Sequence, residues 1–527
     1  MNRRAFLLSL AAAAASCAKQ DGQQTPPGAL LGPDARRGHR LRGGDFPPIT
    51  ETRKLAVAII GGGISGLSAA WKLDKAGLSD FRLFELEDHT GGNARSGGNA
   101  ISAYPWGAHY LPLPGPEAHA VRELLADFGI LHGDPHAANP RYDERALCFA
   151  PQERLYRNGL WQEGLVPHLG VSRREHDHLR RFFGLVADFR QRRDALGRRA
   201  FALPMALSSA DPGLLALDRL SFRDWLLAQG LDSAALHWYA NYACRDDYGT
   251  DYAAASAWAG LHYFAARDGE AEDAERGDVL TWPEGNGRLA AHFRQRLAPY
   301  LQTAAVVHRI ETHGGQGADI DVWLAQENRS VRYQADAAIF AAPMHLLPYL
   351  WRNIPAELAQ AARAVEYAPW LTANLSLDGP PQQRHGAAPA WDNVLQDSPA
   401  LGYVEATHQQ MRYAAGPSVL TFYHAFSAAT PTQARSRLLT TPREAWAEWI
   451  LNDLGRVLPD LRARAVSLDV FRWPHAMARP AVGSLFGAAR MRLVQGQAPL
   501  WLAHSDLSGF SLFEEANYRG VAAAEAV

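Results

Sequence analysis

The run Gly61-Gly62-Gly63-Ile64-Ser65-Gly66 places glycines at the first, third and sixth positions of a six-residue turn. That spacing lets a backbone wrap a pyrophosphate. Gly61 permits the tight turn, and Gly63 lets the main chain approach the phosphates. Gly66 lets a following helix pack closely, so that its N-terminal N–H groups and dipole face the charge. Glu85 stands 24 residues beyond Gly61 (85 − 61). A carboxylate there grips ribose hydroxyls and repels a 2′-phosphate, which argues against NADP. The chemistry these residues imply is dinucleotide binding.

The elements that must position them are legible on either side. Residues 55–60 form a continuous apolar run, expected of a strand buried on both faces of a parallel sheet. Residues 67–75 follow with helical spacing, and 81–84 read as a second strand ending at Glu85. The whole chain has 527 residues, 47% hydrophobic and 20% charged, with a formal charge of −2. These values fit a globular protein of a few domains and exclude a disordered chain or a nucleic-acid binder relying on bulk charge. Its three cysteines, Cys17, Cys148 and Cys244, form no CxxC pair, so no metal site is expected. Of 53 basic residues only Lys19, Lys54, Lys72 and Lys75 are lysines. No lysine base or Schiff-base lysine can therefore lie beyond residue 75.

Further segments carry a family resemblance. Gly91-Gly92 with Arg95, then Gly107-Ala108, follow Glu85; Pro283 to Gly287, the strand around Val307 and residues 335–343 come later. Near the end, Asp506 precedes a loop and a helix expected to begin near Phe513. In these blocks, over residues 53–527, the chain resembles the flavin amine oxidase superfamily. The resemblance implies non-covalent FAD. Gly61, Gly63, Ser65, Gly66, Glu85, Gly91, Gly92, Arg95 and the Val307 backbone would hold the dinucleotide. Gly107 and Ala108 would lie against the flavin, Asp506 on its ribityl chain and Phe513 at its N1 edge. Asn93 departs from the family's arginine, with Arg95 as substitute. The family's lysine, placed against flavin N5 through a water, has its nearest counterpart here in Ala373. That departure puts fast reaction with oxygen in doubt.

The implied fold is α/β plus α+β: a Rossmann-like FAD-binding domain with a discontinuous substrate-binding cap. The FAD domain is expected from 51–111, 279–345 and 468–527, and the cap from 112–278 and 346–467. Within the cap, Trp238, Tyr239, Tyr242, Tyr248, Tyr252, Trp258 and Tyr263 offer either a pocket wall or helix core. Asp246 and Asp247 suit either attraction of a cationic amine or a solvated helix end. His475 and His109 are the ionisable candidates near the flavin, as proton acceptors or as structural histidines. The expected reaction is hydride transfer from a C–N bond of a small amine or amino acid to the flavin, with an unspecified electron acceptor. A carbon–carbon desaturase using an acceptor other than oxygen and a non-catalytic FAD scaffold are the alternatives.

Residues 1–17 read as a signal peptide: Arg3-Arg4 resembles a twin-arginine export signal, followed by a short apolar run. Ala14-Ala15-Ser16-Cys17 resembles a lipobox, so Cys17 is either a lipidated membrane tether or incidental to general signal cleavage. Residues 18–50 are expected to be a flexible linker to a periplasmic body.

Overall fold

The computed structural model describes residues 25–412, 414–496 and 498–527. Strand Ile49–Ile60 ends at the glycine turn and lies between Phe81–Phe84 and Arg329–Phe340, parallel to both. Ala58, Ile59 and Ile60 are buried, because helices or loops cover both faces of this part of the sheet. Leu301–Gln302 extends one edge; Ala318–Leu324 and Ala305–Thr312 extend the other as an antiparallel ribbon. Leu500–Leu502 joins beside the end of Arg329–Phe340.

Helix Ile64–Lys75 packs on this sheet, with Leu67 and Trp71 fully buried. Each of those side chains stabilises the packing by roughly 2–3 kcal/mol. Helix Phe513–Ala526 crosses it closely. A Cβ at Gly520 would overlap the Ser65 carbonyl, and Asn517 Nδ2 donates to Ser68 Oγ at 3.0 Å. The last helix is thereby held against the first.

The second body is an eight-stranded sheet ordered Leu30–Leu31, Ala465–Ala478, Tyr367–Leu377, Ser418–Ala425, Gly402–Glu405, Asp392–Leu395, Glu153–Arg157 and Leu160–Glu163. Every residue of Tyr367–Leu377 is buried. Leu371, Ala373, Leu375 and Leu377 pack in one core with Leu438, Trp446 and Ile450 of helices Pro431–Thr440 and Arg443–Gly455. Beside the sheet, helices Arg173–Gln191, Phe222–Ala228, Ala234–Tyr248 and Ala257–Ala266 share a core of their own. The expected α/β plus α+β pairing is present, in a cap assembled from separated pieces.

Four expected boundaries shift. Val121, Leu124, Tyr142 and Leu147 belong to the core that contains Leu67 and Trp71, so the first cap segment starts near 150 and not at 112. Leu358, Ala361 and Ala362 pack with the cofactor sheet, moving the second start from 346 to near 366. Strand Ala465–Ala478 pairs inside the cap sheet, so the final cofactor segment begins after 478, not at 468. The fourth change is the linker. From residue 25 onward the segment is built into the fold: Leu468 N donates to Pro27 O, Leu30 and Leu31 pair with Val470 and Phe471, and Arg37 bridges to Asp88 at 2.9 Å. The free ladder edge of Ala465–Ala478 provides the template that a periodicity-based reading misses. The signal-peptide and Cys17 expectations lie outside the described residues. No helix among the described residues is long and apolar enough to cross a membrane.

Candidate active site

The glycine turn has the geometry its sequence requires. Gly61 adopts φ +104°, and a Cβ there would meet the Ala341–Ala342 backbone at 2.9 Å. A Cβ at Gly66 would overlap the Gly61 carbonyl. Gly63 differs from both: its Cβ direction points into open space, with no atom within 4 Å. That space is a cradle at the N-terminus of helix Ile64–Lys75. Ser65 Oγ and Thr90 Oγ1 are buried beside this turn without a hydrogen-bond partner among the described residues.

Glu85 closes the turn from below, accepting from Gly62 N at 2.7 Å and from Glu87 N at 2.8 Å. Burial pushes its carboxyl up to about 7, against the pull of those two donors. Gly91 N donates to Gly62 O at 2.7 Å, which stitches the Gly91-Gly92 segment to the first turn. Arg95 pairs with Glu87 at 3.3 Å and lies over the rings of Phe471 and Trp473. Ala305 N donates to the Glu85 carbonyl, bringing the Val307 strand alongside. The ladder shifts register between Val307 and Arg309. Asp506 is buried: Oδ2 accepts from Met344 N and from Tyr367 Oη, while Oδ1, 3.0 Å from His504 Nδ1, has no hydrogen-bond partner among the described residues.

Beyond the turn lies an inner cavity of about 120 Å³. Gly107, Ala108 and Asn93 line it from one side, Trp370, Thr372 and Trp473 from the cap sheet, and Phe513 and Glu514 from the last helix. Four buried polar atoms on its walls have no hydrogen-bond partner among the described residues: Trp370 Nε1, Asn286 Oδ1, Asp247 Oδ2 and Glu514 Oε1. Buried polar groups are normally paired. With Glu514 protonated, its O–H and Trp370 Nε1–H are donors and Asn286 Oδ1 and Asp247 Oδ2 acceptors, a mixed set that fits a heteroaromatic ring with carbonyl oxygens and a ring N–H, such as a flavin.

An outer cavity of about 240 Å³ shares His109, Tyr110, Asp246 and Arg267 with the inner one. Tyr239, Tyr242 and Tyr263 are wall residues here, whereas Tyr248 and Trp258 belong to the helix core. Asp246 is no solvated helix end. Burial, then repulsion from Asp247, pushes its carboxyl up to about 7. Asp247 is ion-paired with Arg267. Two acids had no sequence signal: Glu153 and Asp392 face each other on adjacent parallel strands and both line this cavity. Burial pushes Glu153 up to about 7; burial and its acidic neighbours push Asp392 well above the usual carboxylate range.

His109 stands where the cavities meet, its ring stacked on Tyr423 at 4.4 Å. Burial holds it down at about 4, so the imidazole is neutral. His475 is elsewhere. Between Met477 and Trp473 the strand carries two more residues than its partner, which spans Ala368 to Trp370. This bulge turns Ala476 into the cavity and lays His475 on His345 at 4.5 Å. The expected role of His475 beside the flavin is therefore corrected. So is the counterpart of the family lysine: Ala373 faces the helical core, and Thr372 faces the inner cavity.

A family model described as flavin containing amine oxidoreductase matches residues 64–527. Coproporphyrinogen III oxidase of Mycobacterium tuberculosis is 28% identical over 328 residues, 61% of this chain and 66% of that protein. The chain spans from 14% to 66% of the length of the curated relatives it matches. Putrescine oxidase bound to putrescine superposes with a TM-score of 0.66 at 18% identity, covering 90% of this chain and 99% of that one. Cyclohexylamine oxidase from Brevibacterium oxydans gives 0.62 at 16% identity, with 90% and 98% covered. At these identities the likeness to the solved structures establishes the fold.

Proposed function

Because the chain belongs to the flavin-containing amine oxidoreductases and is an FAD-dependent oxidoreductase, we propose that it oxidises the C–N bond of a small cationic amine or amino acid. The observation that carries this reading is the charge of the outer cavity. Glu153, Asp246, Asp278 and Asp392 line it against Arg190 and Arg267, and Asp247 already occupies Arg267. An ammonium group entering this space draws protons off carboxyls that burial otherwise keeps neutral up to about pH 7, and pairs with the carboxylates so formed. The tyrosine walls and Trp391 exclude water and present ring faces to a cation.

FAD, held by the turn at Gly61–Gly66 and by Glu85, supplies a hydride acceptor when bound. The chain's own residues then have three tasks. The acids bind and orient the ammonium. The ammonium loses its proton to an ionised carboxylate of the outer cavity, whose acids titrate near 7, so that the nitrogen lone pair becomes available to drive C–H cleavage; neutral His109, at the junction of the cavities, accepts a hydrogen bond from the free amine and orients it. Trp370, Trp473 and Phe513 keep the inner cavity dry.

Anaerobic mixing of the holoenzyme with a panel of amines, amino acids and neutral alcohols tests the reading. Amines should bleach the flavin absorbance and alcohols should not. If dithionite bleaches the flavin while no amine does, the amine reading fails. We also propose export by the twin-arginine route, with FAD bound before transport and a lipid tether at Cys17. It is supported by Arg3-Arg4 and by the need to fold around a buried dinucleotide in the cytoplasm. Changing both arginines to lysine should trap holoprotein inside the cell; continued export would refute the route.

A further inference from the structure

Helix Phe513–Ala526 begins in the wall of the inner cavity, and its second residue, Glu514, is only 2% exposed. Its Oε1 has no hydrogen-bond partner among the described residues. The groups around it are settled in other ways. Arg267 is paired with Asp247, and Glu515 on the same helix accepts from Met205 N at 2.5 Å. Asp246, His109 and Tyr110 line the same cavity, and none of them hydrogen-bonds Glu514. The helix start and Arg267 favour a carboxylate at this position, while burial and the acids Glu515 and Asp247 oppose it. Burial is the largest effect and pushes Glu514 up to about 7. An uncharged carboxyl has an O–H to donate, and the protein offers it no acceptor. Carbonyl oxygens and unprotonated ring nitrogens of a flavin are acceptors.

We propose that Glu514 contacts the cofactor directly, as an uncharged acid that donates a hydrogen bond to a carbonyl or ring-nitrogen acceptor of the flavin. The helix start that the family resemblance places at the N1 edge thus contributes a side-chain donor in addition to its backbone N–H groups. A buried carboxylic acid kept protonated so that it can donate is a known device of polar sites. This inference rests on the flavin and not on the identity of the substrate, so it survives if the amine reading fails.

The test uses the purified holoenzyme without substrate. The visible spectrum of the bound flavin is followed from about two pH units below neutrality to two above, for the wild type and for Glu514→Gln, which keeps a donor but cannot ionise. The wild-type bands should shift as the acid ionises, with a midpoint above the value of about 7 that burial gives Glu514 without cofactor, while the Glu514→Gln spectrum should stay constant across the range. FAD affinity should fall by less than about threefold in Glu514→Gln and by about tenfold or more in Glu514→Leu, which has no donor. In the infrared, a flavin carbonyl or ring band should move to higher frequency in Glu514→Leu and stay near its wild-type position in Glu514→Gln. An unchanged pH transition in Glu514→Gln, or equal FAD affinity in Glu514→Leu and Glu514→Gln, would overturn the proposal. If Glu514→Leu fails to fold, the wild-type and Glu514→Gln titrations still decide it.

Discussion

Gly63 and Gly66 are two residues of one motif, and the structure assigns them separable roles. An added methyl at Gly63 points into space that holds no protein atom. The backbone there, φ −72° and ψ −177°, is one that alanine adopts freely. In the protein without cofactor, Gly63→Ala gains about 0.4–1 kcal/mol by restricting the unfolded chain. It loses a similar amount because alanine is a poorer helix N-cap than glycine. Stability of the apoprotein should therefore change by less than about 0.5 kcal/mol. With FAD the methyl occupies the approach of the pyrophosphate, at the cost of about one charge-assisted hydrogen bond, roughly 1.5–3 kcal/mol. That weakens FAD by about ten- to hundredfold and removes a comparable part of the stabilisation that FAD confers at fixed concentration. Gly66→Ala behaves in the opposite way. Its methyl overlaps the Gly61 carbonyl and touches Ala341 Cβ at 3.3 Å, so it should destabilise apoprotein and holoprotein alike by about 1–3 kcal/mol. Thermal melts of deflavinated protein with and without added FAD separate the two. The reasoning is refuted if Gly63→Ala lowers the apoprotein melting temperature as much as Gly66→Ala, or if FAD stabilises Gly63→Ala as it does the wild type.

Four other outcomes follow from the same geometry. Asp246 and Glu153 bind protons up to about pH 7 in the free enzyme, so amine affinity should improve as pH rises through that value, and amine binding should release protons in calorimetry run in two buffers; Asp246→Asn should weaken amines by about tenfold and flatten the profile. His109→Ala should lower kcat by about a hundredfold with FAD retained, whereas His475→Ala should leave kcat within about threefold, as rapid-mixing kinetics will show. A methyl at Gly260 would run into the Phe222 ring, so Gly260→Ala should destabilise the cap by about 1–3 kcal/mol in denaturant melts, without changing the flavin spectrum. Thr372→Lys places a cation on the inner cavity wall and should speed reoxidation of reduced enzyme by oxygen about tenfold or more, measured by stopped flow.

The cofactor site was legible because its signals are local. The turn, the strand before it and Glu85 fall within one supersecondary unit, where spacing alone sets geometry. The substrate site was not, since its charge comes from partners far apart in sequence. Asp392 and Glu153 are 239 residues apart (392 − 153) and meet only through parallel strand pairing. His475 shows a different failure. Its neighbours do line the cavity, but a bulge re-aims one side chain, and no periodicity within a single strand reports a bulge. Ala373 missed by one residue, and in a strand one residue is the other face of the sheet. Residues 25–50 lack hydrophobic periodicity because they complete an edge and cover another body's surface, a role that leaves little pattern of its own.

The scarcity of lysine survives that shift of register. Whichever residue of Tyr367–Leu377 faces the flavin, no lysine exists beyond residue 75 to reach it. The position that does face the inner cavity carries Thr372, which has no charge to offer, and the one guanidinium on that wall, Arg267, is neutralised by Asp247. The inner cavity therefore presents Asp246 and Glu514 with no free cation among the described residues lining it. With Glu514 uncharged, that lining offers no fixed positive charge to oxygen reduced beside the ring, while the carboxyls shared with the outer cavity suit a cationic substrate. For the amine oxidation proposed above, we accordingly propose an acceptor other than oxygen. On this proposal the polar groups left to face the substrate and the ring are the neutral imidazole of His109 and the uncharged acid of Glu514, where the family resemblance would imply a lysine.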